Sequence, residues 1–191
     1  MKIAIFSTDT ICCRLIDEAL PSHHITVLAQ GTRPPVEKMH DNLDVVCGDM
    51  TDLNSLKTAL TGQDVAVAAL SSLAIGSEAS AIIQAMQQSG VRRFVAITKP
   101  KKRSNSWIRR CFERLFPEQE ADTSAIEWLM KRSGLEWAII CPPELTNTPP
   151  TGTCRLSDRP SGTLSSADGA RFMLDEVEML PHAGRIVALA S

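Results

Sequence analysis

A chain of 191 residues with 43% apolar and 22% charged residues suits one folded domain with a sizeable core and excludes a disordered polymer. No apolar run reaches the roughly 18 residues of a membrane span, and the four apolar residues Ile3 to Phe6 are too few for a signal-peptide core, so a cytoplasmic protein without a transmembrane segment is expected. The net charge of −2 hides a lopsided distribution: nine bases and a single acid, Glu113, fall between Arg92 and Arg114.

Lys2 to Phe6 is a short apolar run with β-branched residues and predicts a buried first strand. A helix with Leu15, Ala19 and Leu20 on one side follows and stops at Pro21-Ser22. Strands are predicted at Ile25 to Leu28 and Leu43 to Cys47. Gly48-Asp49 then turns into a helix over Leu53 to Leu60, with Thr51 or Asp52 as its cap. Val65 to Leu70 reads as the fourth strand, and a helix from Ser77 to Ser89 ends at Gly90 in a left-handed cap. Phe94 to Thr98 is the fifth strand. A helix from Glu118 to Arg132 stops at Gly134, with Leu135 set for the apolar contact of that ending. Glu136 to Cys141 is the sixth strand, cut off by Pro142-Pro143. A loop-rich stretch containing Thr151-Gly152 and Pro160 leads to a helix from Ser165 or Ser166 and a last strand from Arg185 to Ala190.

Strands apolar on both faces that alternate with helices predict a parallel sheet covered on both sides, in the doubly wound, Rossmann-like α/β arrangement, as a single domain over residues 1–191. The six cysteines form no C-x-x-C pair, so no metal centre is expected. Cys47 and Cys141, in apolar runs, read as small buried hydrophobes. His23, His24, His40 and His182 lack ligand or nucleophile-pair spacing and read as surface residues.

Several segments together resemble the atypical short-chain dehydrogenase/reductases with an NAD(P)H-binding, NmrA-like fold, nearest the biliverdin reductase B and flavin reductase subgroup. They are Met1-Lys-Ile-Ala-Ile-Phe6, Cys47-Gly-Asp-Met50, Gly62-Gln-Asp64, Gly90-Val-Arg-Arg-Phe-Val95, Ser133-Gly-Leu135, Pro142-Pro143, Thr151-Gly152, and Ser166-Ala-Asp168 before Phe172-Met-Leu174. Each is weak alone; their order and spacing span nearly the whole chain.

The resemblance implies NADP or NAD as cofactor, a small-molecule substrate and, if the chain is active, an NAD(P)H-dependent oxidoreductase of flavin- or quinone-like acceptors. It implies a nucleotide lined by Ser7, Thr8, Thr10 and Ile11 after the first strand, Gln30 and Arg33 after the second, and Asp49 and Met50 after the third. Leu70 and Ser71 at the end of the fourth strand and Thr98 of the fifth complete the set. At that first turn this sequence departs from the family, which reads roughly G-A-T-G-x-x-G where this chain reads Ser7-Thr-Asp-Thr-Ile-Cys-Cys13. The glycines make a tight turn, admit the pyrophosphate and let helix pack on strand. Ser7, Thr10 and Cys13 each add a side chain there, and Thr10 would crowd the diphosphate.

Asp9 has two readings. Its carboxylate caps the helix and replaces the anion site, or the hydroxyls of Ser7, Thr8 and Thr10 still hold a phosphate in an altered pose. Asp49 reads equally as a residue beside the adenine or as a turn and helix-cap residue. Gln30 stands where the family places an arginine near the 2′-phosphate, and Arg33 is the nearby substitute.

With no tyrosine, the proton relay of ordinary short-chain dehydrogenases is impossible. The family's serine after the fifth strand corresponds to Lys99 and its histidine after the two prolines to Glu144, so these two are the candidate acid–base or ion pair, the alternative being two solvated loop charges. Asp168 is expected to cap the last helix.

The basic stretch offers a different function. In 99–114 the stripe Ile108, Phe112, Leu115 opposes Arg103, Arg110 and Arg114, as in a short basic amphipathic helix. It reads as a lid, or as a surface for an acidic protein or an anionic surface; with little aromatic interleaving suited to base stacking it does not suit sequence-specific nucleic acid. The alternative to a reductase is therefore a non-catalytic regulator or scaffold that keeps the fold, holds no cofactor and meets an acidic partner through residues 92–114.

Overall fold

The computed structural model describes residues 1–7, 9–29, 40–70, 75–98 and 121–191. The described elements, in chain order, are β1 (Lys2–Phe6), α1 (Thr10–Ala19), β2 (His24–Ala29), β3 (Leu43–Cys47), α2 (Leu53–Leu60), β4 (Val65–Leu70), α3 (Ile75–Ser89) and β5 (Arg93–Thr98). They continue with α4 (Ala121–Ser133), β6 (Glu136–Cys141), β7 (Glu144–Thr146), β8 (Arg155–Ser157), β9 (Thr163–Ser165), α5 (Ser166–Met179) and β10 (Arg185–Ala190). Eight strands form one sheet in the order β3-β2-β1-β4-β5-β6-β10-β8. Every pairing in it is parallel except β10 with β8. The expected Rossmann-like α/β fold is the observed one.

The pleat explains the two-layer core. Alternate side chains of a strand point to opposite faces, so Ile3 and Ile5 join the helices α1 and α5 through Leu15, Ile16, Met173 and Val177. Ala4 and Phe6 join α2, α3 and α4 through Leu56, Ile82 and Met130. All six residues of β4 are buried because it lies inside the sheet with both faces covered. Gly90 and Gly134 end α3 and α4 with φ of +76° and +70°, the left-handed endings read from sequence. Gly48 is needed for a different reason: a Cβ there would run into the side chain of Ser55, which comes close as α2 returns over β3. The cap of α2 is Asp52, which accepts from the N–H groups of Asn54 (3.3 Å) and Ser55 (2.9 Å).

Four expectations are corrected. Cys47 is exposed, because β3 is the edge strand, and Asp44 and Val45 are exposed beside it. Cys141 is only half-buried, because it ends β6 at the open carboxyl edge. Two histidines are not surface residues. His23 is buried, with Ser22 Oγ at 2.7 Å and Glu178 at 3.3 Å, and His182 is half-buried between the buried Glu176 (2.8 Å) and the ring of Phe172. Finally, the stretch read as loop after Pro143 contains β7, β8 and β9, with β7 and β9 pairing in a small parallel sheet of their own. At three residues each they are too short to show a period.

Among the described residues no helix is long and apolar enough to cross a membrane. The expectations for Thr8, Gln30, Arg33, Ser71, Lys99, the basic segment 99–114 and the helix start at Glu118 lie outside the described residues.

Candidate functional site

The strand order reverses direction between β1 and β4, so α1 leaves toward one face of the sheet and α3 toward the other. In open α/β sheets the crevice outside the carboxyl ends at such a switch point receives the ligand. Here that edge gathers the end of β1 with Ser7, Asp9, Thr10 and Ile11, and the ends of β3, β4, β5 and β6.

The first turn is built by its own side chains. Ser7 Oγ accepts the N–H of Asp9 at 3.1 Å. Asp9 holds the N-cap position of α1 in extended conformation (φ −67°, ψ 160°), and its carbonyl takes the N–H of Cys13 at 2.8 Å. Its carboxylate makes no capping hydrogen bond. This corrects the expectation that Asp9 caps α1 through its side chain: the cap bond is made by its backbone carbonyl. Thr10 is exposed, while Ile11 and Cys12 turn into the core and Cys13 is half-buried. A thiol in the first turn of a helix is normally drawn down in pKa. Cys13 is pushed up instead, by burial first and then by the negative charges of Asp17 and Asp9, against the opposing pull of Arg14. After burial, the carboxylates of Asp17 and Asp9 are the charges that raise it.

The other sequence-predicted residues divide by burial. Met50, Leu70 and Ile11 have buried side chains, which leaves mainly their backbone to a ligand. Asp49 is exposed and accepts both the N–H (2.7 Å) and the hydroxyl (2.6 Å) of Thr51, and these bonds, the hydroxyl's foremost, hold its carboxyl below the ordinary range. It is a turn residue, the helix cap being Asp52. Half-buried Thr98 joins the ends of β5 and β6, its hydroxyl reaching Ile140 O (3.4 Å) and Cys141 Sγ (3.1 Å). Burial pushes the Cys141 thiol up, and the Thr98 bond opposes this. Glu144 is exposed at the start of β7, paired in register with Thr163 of β9.

Asp168 is the residue whose role the sequence reading missed. The cap of α5 is Ser165, which accepts the N–H of Ala167 (3.3 Å) and donates to Thr148 O (2.8 Å). Asp168 stands one turn further in and faces away from the helix end. Its buried carboxylate accepts the N–H of Thr151 (2.8 Å), the hydroxyl of Thr151 (3.0 Å) and the N–H of Gly152 (3.0 Å). Burial acts to raise its pKa, but these three bonds outweigh it and hold the carboxyl below the ordinary range. Asp168 thus clamps the loop that follows β7. Thr151-Gly152 was visible in the sequence, but nothing there joined it to a residue 17 positions on. Among the described residues no cluster of three His, Cys, Asp or Glu is placed to hold a metal ion.

The fold is similar to that of a short-chain dehydrogenase/reductase from Veillonella parvula DSM 2008 solved in complex with NADP. The TM-score is 0.79 at 17% identity, over 100% of this chain and 94% of that one. It is equally similar to ChuY, an anaerobillin reductase from Escherichia coli O157:H7 (TM-score 0.79, 15% identity, 100% and 97% of the two chains). A Rossmann-fold NAD(P)-binding family protein from Shigella flexneri gives 0.74 at 22% identity, over 99% and 91%. At such identities the likeness speaks for the fold alone, and no curated protein matches this chain in sequence. The family is shown independently of these structures: the model described as NAD(P)H-binding matches residues 8–179, from the first turn to the end of α5, and the chain belongs to that NAD(P)H-binding family.

Proposed function

We propose that this chain is an atypical, NmrA-like member of the short-chain dehydrogenase/reductase type, allied to the NAD(P)H-dependent flavin and quinone reductases, whose dinucleotide site is impaired. The carboxylate of Asp9 carries this reading. The turn that would cradle a diphosphate offers a negative side chain instead, and the N–H of Asp9 is already accepted by Ser7 Oγ. An anion seated there meets a like charge at the point where the helix end should attract it. The same carboxylate adds, after burial and Asp17, to the upward push on the Cys13 thiol. The residues of this turn do not fit a diphosphate in the ordinary pose.

On the substrate side, Glu144 is exposed beside the clamped loop, and with Lys99 it is the candidate acid–base pair for a small acceptor. The cofactor class stays NADP or NAD, a cytoplasmic location is part of the proposal, and the non-catalytic regulator with a basic surface over 92–114 is the outcome if no nucleotide binds in any pose.

The test is titration with NADPH and NADH, followed by nicotinamide fluorescence and thermal shift. The native protein is expected to remain unsaturated at about 1 mM nucleotide, and Asp9→Asn to tighten binding about tenfold by removing one charge. Saturation of the native protein at micromolar nucleotide, or an Asp9→Asn variant that binds no tighter than native, would contradict the proposal.

A further inference from the structure

The first turn of α5 lies where the two halves of the carboxyl edge meet. A Cβ built on Gly169 would stand 3.2 Å from Ile11 Cδ1, 3.5 Å from Leu164 Cδ2 and 3.6 Å from Leu145 Cδ2. These three side chains come from two walls. Ile11 belongs to the first turn of α1, two residues after Asp9; Leu145 adjoins Glu144 on β7; Leu164 is its partner in register on β9. One residue earlier, Asp168 holds Thr151 and Gly152. Helix α5 packs along α1 and also meets β7 and β9, so among the described residues it borders both the nucleotide turn and the β7 wall.

Glycine inside a helix is unfavourable beside alanine, so its presence on a buried turn calls for a steric cause. That cause is the Ile11 contact. A distance of 3.2 Å is tighter than carbon atoms normally accept, whereas those to Leu164 and Leu145 are ordinary contacts.

We propose that Gly169 is a positioning residue that joins the nucleotide turn and the Glu144 wall into one rigid body, its missing side chain being what lets Ile11 seat against both. The inference rests on the reading of this edge as the ligand site, and it adds how the two halves of that site are held together.

Ile11→Val removes Cδ1, the atom that a new methyl group on residue 169 would meet. Amide hydrogen exchange can therefore be read in Gly169→Ala, in Ile11→Val and in the double variant. The reporters are the N–H of Cys13, which bonds to Asp9 O, and the N–H groups of β7 and β9, with those of β2 as a distant control. Gly169→Ala is expected to raise exchange about tenfold at both α1 and β7–β9, as one overpacked methyl group would, and to leave β2 unchanged. The double variant is expected to return both sites together to the Ile11→Val level. Perturbation of one site alone, or rescue at α1 while β7–β9 stays perturbed, would overturn the proposal. An unfolded Gly169→Ala that Ile11→Val does not rescue would also overturn it, and Gly169→Ser with Ile11→Val serves as the second pair. No nucleotide enters the experiment, so its failure is separate from a failure of the titration above.

Discussion

Asp9 puts a carboxylate at the N-cap position of α1, where the phosphate of a nucleotide bound in the ordinary way would approach. A helix N-terminus carries a partial positive charge that falls off within a turn. A full negative charge at the N-cap position opposes it, and Asp9 contributes, after burial and Asp17, to the upward push on the Cys13 thiol. Asp9→Asn is therefore expected to lower the pKa of Cys13, seen as faster alkylation of that cysteine at fixed pH when the labelled sites are mapped by mass spectrometry. An unchanged rate would mean that Asp17 and burial alone set the thiol. That residues 7–13 hold no glycine was legible from the sequence, and so was the charge. The failure of Asp9 to cap through its carboxylate was not, because the N-cap position fixes the backbone conformation and leaves the side-chain torsion open.

Among the elements, α5 carries the most that the sequence left unread. Its start was legible from Ser165-Ser166, and Ser165 is the cap. What the sequence could not carry was the direction of Asp168, since a residue in the first turn can serve its own helix or a loop brought near by tertiary folding. Asp168→Ala leaves two loop N–H groups and a hydroxyl without their acceptor, an expected loss of about 2 kcal/mol in urea unfolding at pH 7. The pH dependence follows from the lowered carboxyl. A group with a folded pKa below its unfolded value stabilises fully above the unfolded value, near 3.9, and loses that contribution as pH falls through the folded one. The gap between native and Asp168→Ala should hold constant from pH 7 to about 5 and close below about 4. A gap that widens on acidification would contradict the clamp. Ser165→Ala, which removes the cap, is expected to cost about 1 kcal/mol.

At the scale of the molecule, the sheet was legible because its inner strands are apolar on both faces, as in Val65–Leu70, a pattern that few other arrangements satisfy. Where that condition relaxes, the reading weakened. The edge strand β3 exposes Cys47, and the three-residue strands β7, β8 and β9 carry no period. The parallel order places the ends of β1 and β4 side by side and creates the edge that the family uses for its nucleotide; it does not decide whether the edge still binds one. In the proposed reading the charge at the first turn decides it. The most direct measurement compares ADP-ribose, which carries the diphosphate, with adenosine, which does not, against native protein and Asp9→Asn by calorimetry. The account predicts that the substitution tightens ADP-ribose about tenfold and leaves adenosine unchanged. Micromolar binding of ADP-ribose by the native protein, or equal gains for both ligands, would contradict it.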